Sequence, residues 1–154
     1  MQLLISEILD EFEKAKSKQD KIAILKKHES PVLRGLMRIN FDPNVAFDLP
    51  EGEPPYRKDT DRPIDYQQTT LTLEYRRFYI WHDPNVKIPK LKKETLFIEM
   101  LEGLHASEAE VIILAKDKKL YTKYKSLKED IVREAYPVTL PPKVDKPKAA
   151  SPLV

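Results

Sequence analysis

The chain contains no cysteine. That excludes disulfides, thiolate nucleophiles and zinc–thiolate sites together, and it suits a reducing compartment. Glycine is nearly as scarce, with Gly35, Gly52 and Gly103 standing apart. Isolated glycines build neither a phosphate-cradling loop nor a Gly-x-Ser-x-Gly nucleophile elbow, so nucleotide hydrolysis and elbow-type acyl transfer are not expected. No apolar run approaches the ~20 residues of a membrane span. The opening Met1-Gln2-Leu3-Leu4-Ile5-Ser6-Glu7 has no basic n-region, so neither a signal peptide nor membrane association is expected. Charge of one sign is also missing, since 27 basic residues face 25 acidic ones. A formal charge of +2 gives no broad positive field, and any nucleic-acid contact has to come from a local patch.

What is present is length enough for one core, many charges and much proline. The 154 residues fit a single domain, and 13 prolines against 3 glycines imply stiff connections. Residues 3–16 place Leu4, Ile5, Ile8, Leu9, Phe12 and Ala15 on one helical stripe. Ser17 with Asp20 predicts the cap of a second helix running to His28. Ser30-Pro31 supplies a cap and an N1 proline for a third, with Val32, Leu33, Leu36, Met37 and Ile39 inward. From residue 41 to 68 the periodicity stops among prolines, and only Val45–Leu49 alternates like a strand. A loop this long inside a compact domain is usually functional.

Residues 70–82 fit both alternation and a helical stripe, and the helix is the preferred reading. Residues 91–102 predict a central helix, with Phe97, Met100, Leu101 and Leu104 buried and Gly103 just past its end. Ser107 with Glu110, and Ser126 with Glu129, predict capping boxes for helices reaching about Leu120 and Tyr136. From residue 138 to 154 proline, lysine and small residues predict an extended, flexible tail. The expected architecture is mainly α: a compact multi-helix domain over residues 1–137, one long proline-rich loop and a C-terminal tail.

No catalytic or metal constellation emerges, and no cofactor is implied. Of the histidines His28, His82 and His105, the last sits in a Glu102-x-x-His105 spacing known from di-metal helical bundles, but that motif occurs once and Gly103 interrupts its helix. The loop acids Asp42, Asp48, Glu51, Glu53, Asp59, Asp61 and Asp65 lack the spacing of a calcium loop and lie among Arg57, Lys58 and Arg62, as solvated loop charges do. Two candidate binding surfaces remain. One is the loop, which offers Phe47, Tyr56 and Arg57 to a protein partner, since interface energy concentrates on aromatic and arginine side chains. The other is basic: Arg76 and Arg77, interleaved with Phe78, Tyr79 and Trp81, together with Lys116, Lys118, Lys119, Lys123 and Lys125, as candidates for nucleic-acid phosphates and bases.

Three stretches carry a resemblance: Phe41-Asp42-Pro43-Asn44-Val45, Leu49-Pro50-Glu51-Gly52-Glu53-Pro54-Pro55-Tyr56, and Glu94 to Glu102. With these the chain resembles an uncharacterised family of large tailed bacteriophages, notably cyanophages related to the T-even group, over residues 1–137. The resemblance carries no known activity and no catalytic residue. It implies a small phage protein in the host cytoplasm or the virion, and it turns the expectation to a non-enzymatic accessory protein that binds a phage or host protein. A nucleic-acid accessory factor is the alternative, and a virion component the third reading.

Overall fold

In the computed structural model the described residues are 3–58 and 68–141. The loop residues Asp59, Asp61, Arg62, Pro63 and Asp65 and the expected tail beyond residue 141 lie outside them. The described residues form eight α-helices and no strand, so the chain is mainly α as its patterning predicts. The helices are α1 Ile5–Lys14, α2 Lys18–Lys27, α3 Pro31–Phe41, α4 Leu71–Glu74, α5 Tyr79–His82, α6 Lys90–Gly103, α7 Ala106–Lys116 and α8 Glu129–Ala135, with 3-10 turns at Tyr75–Arg77 and Leu120–Thr122.

The second and third helices form as their capping residues dictate. Ser17 Oγ accepts the Asp20 N–H and Ser30 Oγ accepts the Leu33 N–H, each satisfying one donor at a helix start, and Pro31 occupies the first turn of α3 where a missing N–H is harmless. Residues 71–82 are helical as preferred, but a 3-10 turn at Tyr75–Arg77 divides the run, which explains why its side-chain pattern fits neither period cleanly.

The centre of the core is α7 and not the expected α6. Ala109, Val111, Ile112 and Ala115 are fully enclosed, with α1, α3 and α6 packed around them, while α8 closes the bundle against α2. The run Val111-Ile112-Ile113-Leu114-Ala115 is apolar on all faces, which is the pattern of a helix surrounded by others.

Both predicted capping boxes in the second half are displaced. Helix α7 starts one residue before Ser107, capped by His105, whose Nδ1 accepts the Ser107 N–H. Ser126 does not cap α8, which starts at Glu129; its hydroxyl and N–H both go to Glu13 of α1. At its other end α7 stops at Lys116 rather than near Leu120. Lys118 turns left-handed at φ 61°, and the Lys119 and Lys118 N–H groups return to the carbonyls of Leu114 and Ala115, which ends the helix and reverses the chain.

The domain also extends past its expected boundary at residue 137. Leu140 is buried, and Arg133 Nη1 donates to the Pro141 carbonyl at 2.7 Å, so the first residues of the expected tail fold back onto the bundle.

Candidate functional site

The expected loop begins as a strap that the bundle holds firmly. Residues 45–49 form no strand; they cross the ends of α5 and α6. The Asp48 N–H donates to the Trp81 carbonyl at 2.8 Å, and Asp48 Oδ2 accepts Lys93 Nζ at 3.1 Å. That bond, with Lys90 nearby, holds the Asp48 carboxyl below its ordinary pKa. Phe47 is 7% exposed and lies 5.7 Å, ring to ring, from Trp81, with Phe78 and Phe97 edge-on to it. Its expected role as a surface contact is therefore incorrect: its period-2 neighbours suggested a strand, but burial beneath α5 makes it part of the core.

From Leu49 the strap runs over α6 and α7 through the sequence Pro50-Glu51-Gly52-Glu53-Pro54-Pro55. Gly52 turns it at φ 93°, a conformation glycine adopts at little steric cost. Four consecutive residues at the end of α7 clamp it. Lys116 Nζ donates to the carbonyls of Pro50 and Gly52 at 2.9 Å each and to Asp117 Oδ1 at 2.8 Å; Asp117 Oδ2 accepts the Gly52 N–H at 2.9 Å. Lys118 Nζ takes the carbonyls of Ile39, Asp42 and Val45 at 2.6 to 2.9 Å, which satisfies the C-terminal end of α3, and Lys119 pairs with Glu51 at 2.7 Å. Burial lowers the Lys118 pKa, and the nearby Asp42 charge opposes that shift. The far end of the strap is tied by the Arg57 N–H to Glu102 Oε2 at 2.9 Å.

The clamp revises the expected basic surface. Lys116 and Lys118 spend their ammonium groups on backbone carbonyls and are not available to phosphates, while Lys119 and Lys123 are paired with Glu51 and Glu110. Arg77 pairs with Glu74 at 3.0 Å; Arg76 and Lys125 are exposed. These side chains do not form one patch of available charge. The signal for the clamp is weak in the sequence, because a lysine run after a helix reads equally well as dipole-complementing surface charge.

Between strap and α6 lies a groove of about 310 Å³. Phe97, Ile98 and Leu49 provide apolar lining, Pro54 and Pro55 stiffen one wall, and the carboxylates of Glu51, Glu53 and Glu94 stand around it. Tyr56 follows directly. It is half-buried, its phenol is pushed up to about 12 by burial and by the charges of Glu53 and Glu110, and Lys58 lies over its ring while pairing with Glu53 at 3.0 Å. Tyr56 therefore stays a neutral hydrogen-bonding phenol at physiological pH. Replacing Lys116 with methionine, which keeps the stem but removes the ammonium from a side chain only 2% exposed, is expected to destabilise the fold by about 2 kcal/mol. The same change should speed backbone hydrogen exchange in residues 50–56, as peptide-level mass spectrometry can measure.

The histidines have local partners. His28 Nε2 is 3.4 Å from Glu11, His82 stacks on Phe47, and His105 caps α7. Glu102 and His105 diverge, since α6 ends at Gly103 and Glu102 turns to the Arg57 N–H. Among the described residues no group of three or more His, Asp or Glu side chains is placed to hold a metal ion, and no helix is long and apolar enough to cross a membrane.

The family model of DUF6433, a family of unknown function, matches residues 8–122. The match takes in the strap, its clamp and the groove, and stops before α8. No curated protein and no solved structure matches the chain.

Proposed function

We propose that this chain, which belongs to the DUF6433 family of unknown function, is a non-enzymatic accessory protein that captures a segment of a phage or host protein in the groove between its proline-rich strap and α6. The observation that carries the reading is the groove itself: an apolar floor ringed by carboxylates, with a wall that a buried lysine holds in place. A wall fixed in advance lowers the ordering cost of binding, which is where much interface energy is otherwise lost. Glu94 stands at the groove, and Glu51 and Glu53 are held only in exposed pairs with Lys119 and Lys58 that an incoming cation can exchange, so a partner segment whose apolar residue is flanked by lysine or arginine is favoured. Action in a phage-infected cell belongs to the same proposal and rests on the resemblance of the strap sequence.

The groove is tested by Ile98→Lys. Ile98 is only half-buried, so the variant is expected to keep its helical circular dichroism and thermal midpoint while capture of the partner from infected-cell extract falls by about tenfold or more. A folded variant that captures the partner at full strength places recognition elsewhere.

A further inference from the structure

Away from the strap, α3 turns Arg34, Gly35 and Arg38 toward a cleft of about 540 Å³ whose other walls include Tyr75 and Thr139. The two guanidinium groups stand one helical turn apart on one face, a like-charge spacing that opposes helix stability unless an anion lies between them. Arg34 shares one N–H with Glu29 at 2.8 Å, but both side chains of that pair are exposed, so an incoming phosphate can compete for it. Arg38 is exposed. Asp42, farther along the same face, directs Oδ1 to the Asn44 N–H at 2.9 Å.

The cleft has more than charge. The Tyr75 ring lies against Gly35 so closely that a Cβ there would sit 2.2 Å from Tyr75 Cε1, so the absence of a side chain at Gly35 is what admits an aromatic surface beside the arginines. Val138, Thr139 and Pro141 form the other wall.

Guanidinium groups and an aromatic ring are the groups with which single-strand-binding surfaces hold phosphates and stack bases. The volume has room for a nucleotide. We infer that this cleft binds single-stranded nucleic acid, with Arg34 and Arg38 on the phosphate backbone and the Tyr75 ring against a base. The site is separate from the strap groove, and its basic residues are not those the sequence pattern suggests.

Fluorescence anisotropy of the full chain with a labelled oligothymidylate tests it. The wild type is expected to bind at low salt. The Arg34→Gln/Arg38→Gln double variant is expected to lose about tenfold in affinity and to flatten the log–log salt slope by about 1.4, the single-strand value for two phosphate contacts. Lys119→Gln/Lys123→Gln, which removes ammonium groups that do not line the cleft, is expected to keep wild-type affinity. Ultraviolet crosslinking of the wild type needs no variant to fold, and it should map the oligonucleotide to the peptide containing Tyr75. No binding by the wild type, equal affinity of the arginine variant, or an adduct confined to another peptide overturns the inference.

Discussion

Replacing Glu108 with alanine is expected to destabilise the fold by about 4 kcal/mol, as measured by chemical denaturation, because two buried backbone donors and the start of two helices depend on one carboxylate. Glu108 is fully enclosed in the first turn of α7. Its Oε2 accepts the Ile5 N–H at 2.8 Å and its Oε1 accepts the Leu71 N–H at 2.9 Å, so it caps α1 and α4 from outside both. Burial raises its pKa, and the two N–H bonds oppose that shift only in part. The folded state therefore holds this proton more tightly than the unfolded state does. The contribution of Glu108 to stability is largest below the ordinary glutamate pKa of about 4.3 and declines as pH rises through the folded-state value. Glu108→Gln removes the titration and offers an amide NH₂ where one backbone N–H requires an acceptor. The stability of the wild type relative to this variant should accordingly fall as pH rises from about 4 to about 7. A pH-independent difference would show that Glu108 does not titrate differently on folding.

Phe47→Ala is expected to cost about 3 to 5 kcal/mol, the usual range for deleting an enclosed phenylalanine. The ring fills the space among Phe78, Trp81 and Phe97, and its removal takes away stacked and edge-on contacts together with the residue that seats the start of the strap. Any loss of partner capture in this variant should follow unfolding and be restored when the temperature is lowered. A stably folded Phe47→Ala protein that has lost its partner would return Phe47 to the binding surface and contradict its placement in the core.

The two residues show where the sequence is legible and where it is not. The first three helices can be read directly, because Ser17, Ser30 and Pro31 act on neighbours three or four positions away and the apolar stripes are regular. Glu108 acts across 103 and 37 positions of chain, and nothing local separates it from Glu110, which the Ser107 spacing favours as a capping partner. Ser126 and Lys118 fail to declare themselves for the same reason: their partners, Glu13 and the end of α3, are remote in sequence. The apolar run at residues 111–115 does contain the signal for a central helix, and the regular amphipathic stripe of residues 91–102 obscures it. As for the site, the Pro50–Tyr56 run stands out by composition, whereas its groove exists only because Lys116 and Asp117 bring α7 under it. Arg34 and Arg38 carry no sequence signal beyond their spacing, since the cleft they face is completed by Tyr75 and by a segment about a hundred positions away.

The central claim, that a partner segment lies between the strap and α6, is tested most directly by placing a photo-crosslinking phenylalanine analogue in the groove at Ile98 and, as a control, on the exposed surface at Lys125, then irradiating infected cells. The groove position is expected to give a discrete adduct with one protein, absent from the control, and the Lys116→Met change in the same chain should weaken it as the strap loosens. No adduct at Ile98, or the same adduct formed from Lys125, would contradict the account.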